Sequence, residues 1–124
     1  MTATPAEPQG PLITRPPQTI HALRRAVAHI TPASLPAFNS GLVEAAEEAD
    51  ERGSIGPIRR FVQQWAVHVE IERHPQQAAR LHELEALTLN TDDRETARAA
   101  AAEAGRIYAT ACTALGLRTG GATR

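Results

Sequence analysis

Residues 54–74, SIGPIRRFVQQWAVHVEIERH, constrain the fold more than any other stretch, because they set the only Trp and one of two Phe residues on a helical repeat. Ile58, Phe61, Val62, Trp65 and Val69 fall at offsets 0, 3, 4, 7 and 11, which puts them on one side of an α-helix. That side needs cover, and the rest of the chain supplies it mostly from small residues. Of 52 apolar residues 24 are Ala, whose side chain removes far less area from water than Leu or Phe. Helix propensity must therefore contribute: Ala, Leu, Arg, Glu and Gln dominate everything after residue 19. The prediction is an all-α fold, an irregular bundle of about five helices near 20–30, 33–52, 55–73, 75–89 and 92–116, packed around Trp65, Phe61 and Phe38.

Local signals set these boundaries. Thr19 is placed to cap the first helix, whose inward stripe is Ile20, Leu23, Val27 and Ile30. Thr31 or Ser34 introduces the second, with Pro32 or Pro36 tolerated in its first turn and Gly53 as its stop. Ser54 caps the central helix; Pro75 forces His74 out of helical geometry and opens the fourth. Thr91 or Asp92 caps the last helix, Asp92 and Glu95 having the spacing of a capping box, and Gly116 ends it.

Five of the nine prolines lie in residues 1–18, which offer almost no core-forming residues and read as a disordered Pro-rich tail. Residues 19–116 read as a single helical domain and 117–124 as a flexible tail. The N-terminus lacks the basic and apolar regions of a signal peptide, and no segment approaches the ~20 apolar residues of a membrane span. A soluble, cytoplasmic protein without membrane contact is expected. Cys112 alone excludes an intramolecular disulfide framework and a Cys-based zinc site; on an Ala-rich helix it reads as a packed thiol.

Charge provides the candidate surfaces. Glu44, Glu47, Glu48 and Glu51 form an acidic stripe on the second helix, suited to a basic protein partner. Arg24, Arg25, Arg59 and Arg60 are the alternative, a nucleic-acid contact requiring all four on one face, although a net charge of -1 gives no global attraction to phosphate. In HVEIERH the pairs His68/Glu72 and Glu70/His74 sit at i, i+4 but point different ways around the helix, and HExxH is absent, so they read as surface pairs rather than a metal or acid–base site. His82 has no spacing partner. Ala97, Ala101, Ala104, Tyr108, Ala111 and Leu115 make a small-residue seam, for a helix of the same domain or of a second copy. No set of residues fills the nucleophile, base and stabiliser roles together. No enzyme activity, cofactor or metal is therefore expected.

The PxxLPxF run at Pro32–Phe38, the acidic helix after it, and the Pro57, Phe61, Trp65 helix leading into ERHP resemble a family of short actinobacterial all-helical proteins, a domain of unknown function. The resemblance spans roughly residues 19–115. It implies an all-helical cytoplasmic domain, associated with regulatory or toxin–antitoxin-like loci, and carries over no catalytic residue. Together the readings favour a non-enzymatic interaction or regulatory module, antitoxin-like, binding a protein through helix faces. DNA binding is the alternative and a small enzyme comes last.

Overall fold

A computed structural model describes residues 10–117. The chain is all-α: α1 (Ile20–Ile30), a 3₁₀ turn (Pro32–Ser34), α2 (Leu35–Arg52), α3 (Gly56–Glu72), α4 (Pro75–Asn90) and α5 (Arg94–Ala114), with no strand among the described residues. Where the sequence suggests one domain over 19–116, the fold divides into two compact units, and the division falls inside the continuous helix α3.

The unit comprising residues 13–70 contains α1, α2 and most of α3. Thr19 caps α1 through its hydroxyl, which accepts from the Ala22 amide at 3.2 Å. Thr31 and Ser34 make no such bond. The extra 3₁₀ turn delays α2 to Leu35, and the Thr31 hydroxyl faces His68 instead, with Oγ1 3.1 Å from Nε2. At the other end of α2, Gly53 adopts the left-handed conformation (φ 63°) that lets its own amide and that of Ser54 reach the Ala49 carbonyl. The Ser54 hydroxyl then accepts from the Gly56 amide at 3.0 Å, starting α3.

The core of this unit is aromatic, as the stripe on α3 requires. Phe38 is fully buried, its ring centroid 4.9 Å from Phe61 and 5.1 Å from Trp65, both edge to face. That geometry brings the positive edge of one ring to the negative face of the next. The Arg24 guanidinium lies 5.6 Å above the Phe38 ring centroid and closes the cluster from α1. Gly41 permits the approach from α2, because a Cβ there would stand 3.2 Å from Phe61 Cε1.

Among the described residues, the other unit takes in 10–12 and 71–117. Here α4 and α5 form a helical hairpin across residues 91–93, burying Ala78, Leu81, Leu84, Ala100 and Ala111. Pro75 begins α4, as expected from its fixed φ. The cap of α5 lies one or two residues later than the sequence suggests: Asp93 accepts from the Thr96 amide at 3.2 Å and from the Thr96 hydroxyl, while the Thr91 hydroxyl accepts from the Asp93 amide. At the C-terminal end Gly116 (φ 74°) donates to the Thr113 carbonyl and Leu117 to that of Cys112, so the expected flexible tail loses its first residue to a Schellman motif. Residues 118–124 of that tail lie outside the described residues.

The N-terminal expectation needs a larger correction. Residues 1–9 lie outside the described residues, but residues 10–18 are held against the helices instead of belonging to a disordered tail. Leu12 donates its amide to the Arg73 carbonyl at 2.8 Å. Arg15 grips Glu70 with both arms, Nε to Oε1 at 2.9 Å and Nη2 to Oε2 at 3.1 Å. A guanidinium fork on a carboxylate fixes both groups in one plane. Proline content concealed this, because the anchor is a single Arg pairing with a residue 55 positions away.

Candidate functional site

The acidic stripe occupies the C-terminal half of α2. Glu44, Glu47 and Glu51 are exposed and, among the described residues, have no ion-pair partner. Glu48 is half-buried and engaged, 2.7 Å from Arg52 Nη2 one turn on and 3.8 Å from Arg60 Nη2 on α3. Glu44 and Glu48 line one wall of a groove of about 360 Å³ whose other residues include Arg60, Gln64, Phe61 and Trp65. The stripe therefore adjoins a surface with partly accessible aromatic carbon, and Val43 beside it is 57% exposed.

Local folding physics does not account for these charges. Glu44 and Glu48, and Glu47 and Glu51, are like charges at i, i+4, and each such pair costs an isolated helix about 0.2–0.5 kcal/mol. Carboxylates near a helix C-terminus also face the negative end of the macrodipole. One of the four is offset by arginine; three are not.

The four arginines named as a nucleic-acid surface are used differently. Arg24 donates from Nε to the Asn39 side chain at 3.3 Å as it covers Phe38, and Arg60 lies against Glu48. Arg25 lines a separate groove beside α1, and Arg59 is exposed on α3. Two of the four guanidiniums are thus turned to partners within the fold.

HVEIERH also departs from its surface reading. Glu70 is 5% exposed and holds Arg15, while Glu72 accepts from His82 Nε2 at 2.8 Å, giving the apparently solitary His82 a partner. The His68 ring meets Trp65 edge to face, with centroids 4.9 Å apart. Among the described residues no three His, Cys, Asp or Glu side chains come together as metal ligands would. The partners of Glu70 and Glu72 lie 55 and 10 positions away, beyond the reach of helical spacing rules.

The seam of α5 is turned by about one residue from its expected line. Ala100 and Ala111 are buried, but Ala101 is exposed and Tyr108 is 41% exposed. Its hydroxyl donates to Glu85 Oε2 at 2.9 Å, and partial burial followed by this carboxylate pushes the phenol up to about 12. Across the same hairpin Arg80 forks onto Glu103, with both bonds 2.8 Å, and contacts Glu83 at 3.1 Å. Polar pairs between α4 and α5 thus flank the seam, and Ala101 and part of Tyr108 stay exposed. Cys112 is half-buried.

No helix among the described residues is long and apolar enough to cross a membrane. No family model, curated protein or solved structure matches the chain.

Proposed function

We propose that this protein is a non-enzymatic interaction or regulatory module, antitoxin-like and cytoplasmic, which holds a basic protein partner against α2. One observation carries the reading: Glu44, Glu47 and Glu51 stand on one helix side without an ion-pair partner among the described residues. Glu51 does so in the last turn of α2, where the macrodipole opposes it. A partner presenting Lys or Arg would relieve that repulsion on binding, and complementary charge would speed the encounter. The adjoining groove is mostly polar but leaves part of Trp65 accessible, an aromatic contact that charge pairs alone lack.

The test is site-specific photo-crosslinking. A photoreactive residue at Glu47 should capture a defined partner from the native lysate, and the same group at Arg98 on α5 should not. Equal capture at both positions would remove α2 as the interface. Capture of nucleic acid by a photoreactive residue at Arg59, with none of protein at Glu47, would favour the arginine surface, where Arg25, Arg59 and Arg60 are exposed.

A further inference from the structure

The second groove of the 13–70 unit has a different chemistry. It measures about 620 Å³ and runs between the strap at residues 13–17 and α1, with Ile13 and Pro16 on one side, Ala22 and Ala26 along the helix, and Arg25 and His29 on the rim. Ala at 22 and 26 keeps this part of α1 low, since i and i+4 lie one above the other. The opposite wall is held in place. Arg15 on the strap is clamped to the buried Glu70, and Pro16 and Pro17 have fixed φ. Thr19 then donates its amide to the Pro17 carbonyl at 2.9 Å, joining the strap to the start of α1.

Arg25 is exposed and, among the described residues, has no ion-pair partner, so a cation with five donors stands beside an otherwise mostly apolar trough. A guanidinium fork matches a planar carboxylate in two parallel hydrogen bonds. A single fixed cation suits a monoanion better than a dianionic phosphate. His29, one turn on, offers a further ring N–H. From Ala22 to His29 the trough follows α1 for about 10 Å at 1.5 Å per residue.

We propose that this groove binds a free aliphatic carboxylic acid, its chain laid along Ala22 and Ala26 against Ile13 and Pro16, its carboxylate on Arg25. The α2 surface takes no part, so this inference stands apart from the partner reading. With the efficiency of ordinary ligands, an eight-carbon acid would bind with a dissociation constant of about millimolar order.

The experiment is a titration of the isotope-labelled full chain with octanoate, followed by the amide and methyl resonances of Ala22 and Ala26. Octylammonium (same chain, opposite charge) and acetate (same charge, no chain) serve as controls. Octanoate should shift these resonances saturably and the controls should not. Arg25→Ala should weaken octanoate by about two- to fivefold, as expected for one exposed charge pair, Arg25→Lys less, and Arg15→Gln should weaken it by loosening the wall while leaving Arg25 in place. Circular dichroism establishes that each variant is folded. No saturable shift with octanoate, equal shifts with octylammonium, or unchanged affinity in folded Arg25→Ala would each overturn the proposal.

Discussion

Replacing Phe38 by Ala removes the centre of the aromatic cluster. The ring is fully buried and touches Phe61 and Trp65 edge to face. Phe-to-Ala changes in cores cost about 3–5 kcal/mol, and each aromatic pair adds about 0.5–1.5 kcal/mol to simple burial. Because the substitution abolishes both ring pairs, the upper half of the range applies, and a destabilisation of about 4–5 kcal/mol is expected. At roughly 4–8 °C per kcal/mol for a domain of this size, the melting temperature falls on the order of 20 °C or more. Since domains are held by about 5–15 kcal/mol, the variant sits near the edge of folding. Phe38→Leu, which keeps most of the volume but neither ring pair, should cost about 1.5 kcal/mol. Urea unfolding followed by the fluorescence of Trp65, the only tryptophan, reads both changes from inside the cluster. Val43→Ala on the exposed side of α2 is the control and should move stability by less than about 0.5 kcal/mol. A destabilisation below about 1 kcal/mol for Phe38→Ala would refute the aromatic cluster as the organising core of this unit.

Other consequences follow from local geometry. Gly41→Ala should yield none of the ~1 kcal/mol that the helix-propensity difference offers, because the new Cβ meets the Phe61 ring at 3.2 Å and that ring is packed on Phe38; chemical denaturation showing the full gain would mean that the ring is free to move. Tyr108, the only tyrosine, should ionise near 12 in an ultraviolet titration, and Glu85→Gln should bring it down toward 10. Its folded value is the raised one, so its contribution to stability is complete below about pH 10 and disappears as pH rises through 12. Asp93, held low by hydrogen bonds from Thr96, and Glu103, held low by Arg80, have the opposite sign: each stabilises the fold above the ordinary carboxylate value of about 4 and stops doing so as pH falls through its lower folded value. Acid titration followed by circular dichroism should accordingly show a smaller loss of stability between about pH 5 and 2 in Asp93→Asn/Glu103→Gln than in the parent chain.

What the sequence made legible is what depends on neighbours a few residues apart. α1 is found where Thr19 and the 20, 23, 27, 30 stripe place it, and the α3 aromatics meet Phe38 as their spacing requires. Caps were less secure, because several adjacent side chains could serve: Thr31 faces His68 instead of the start of α2, and Asp93 prevails over Asp92 at α5. Pairings across the chain left no periodic signal. Arg15 with Glu70 is the main case, and it turns a segment that reads as a disordered tail into a strap. The acidic side chains of α2 were identifiable because like charges on one helix face need no tertiary information to be seen. Their freedom from arginine was not, since Arg60 reaches Glu48 from another helix while Glu44, Glu47 and Glu51 are left alone.

The central claim is that those three carboxylates receive a basic partner, and the most direct measurement is the affinity of the partner captured at position 47 for the Glu44→Arg/Glu47→Arg/Glu51→Arg chain. Exposed charge pairs are each worth about 0.2–1 kcal/mol, and reversal adds repulsion, so the three together should weaken binding by about 10- to 100-fold at low salt, with the gap closing as salt rises. Circular dichroism of the variant should stay unchanged. A folded triple variant that binds the partner as tightly as the parent chain, at every salt concentration, would contradict the account.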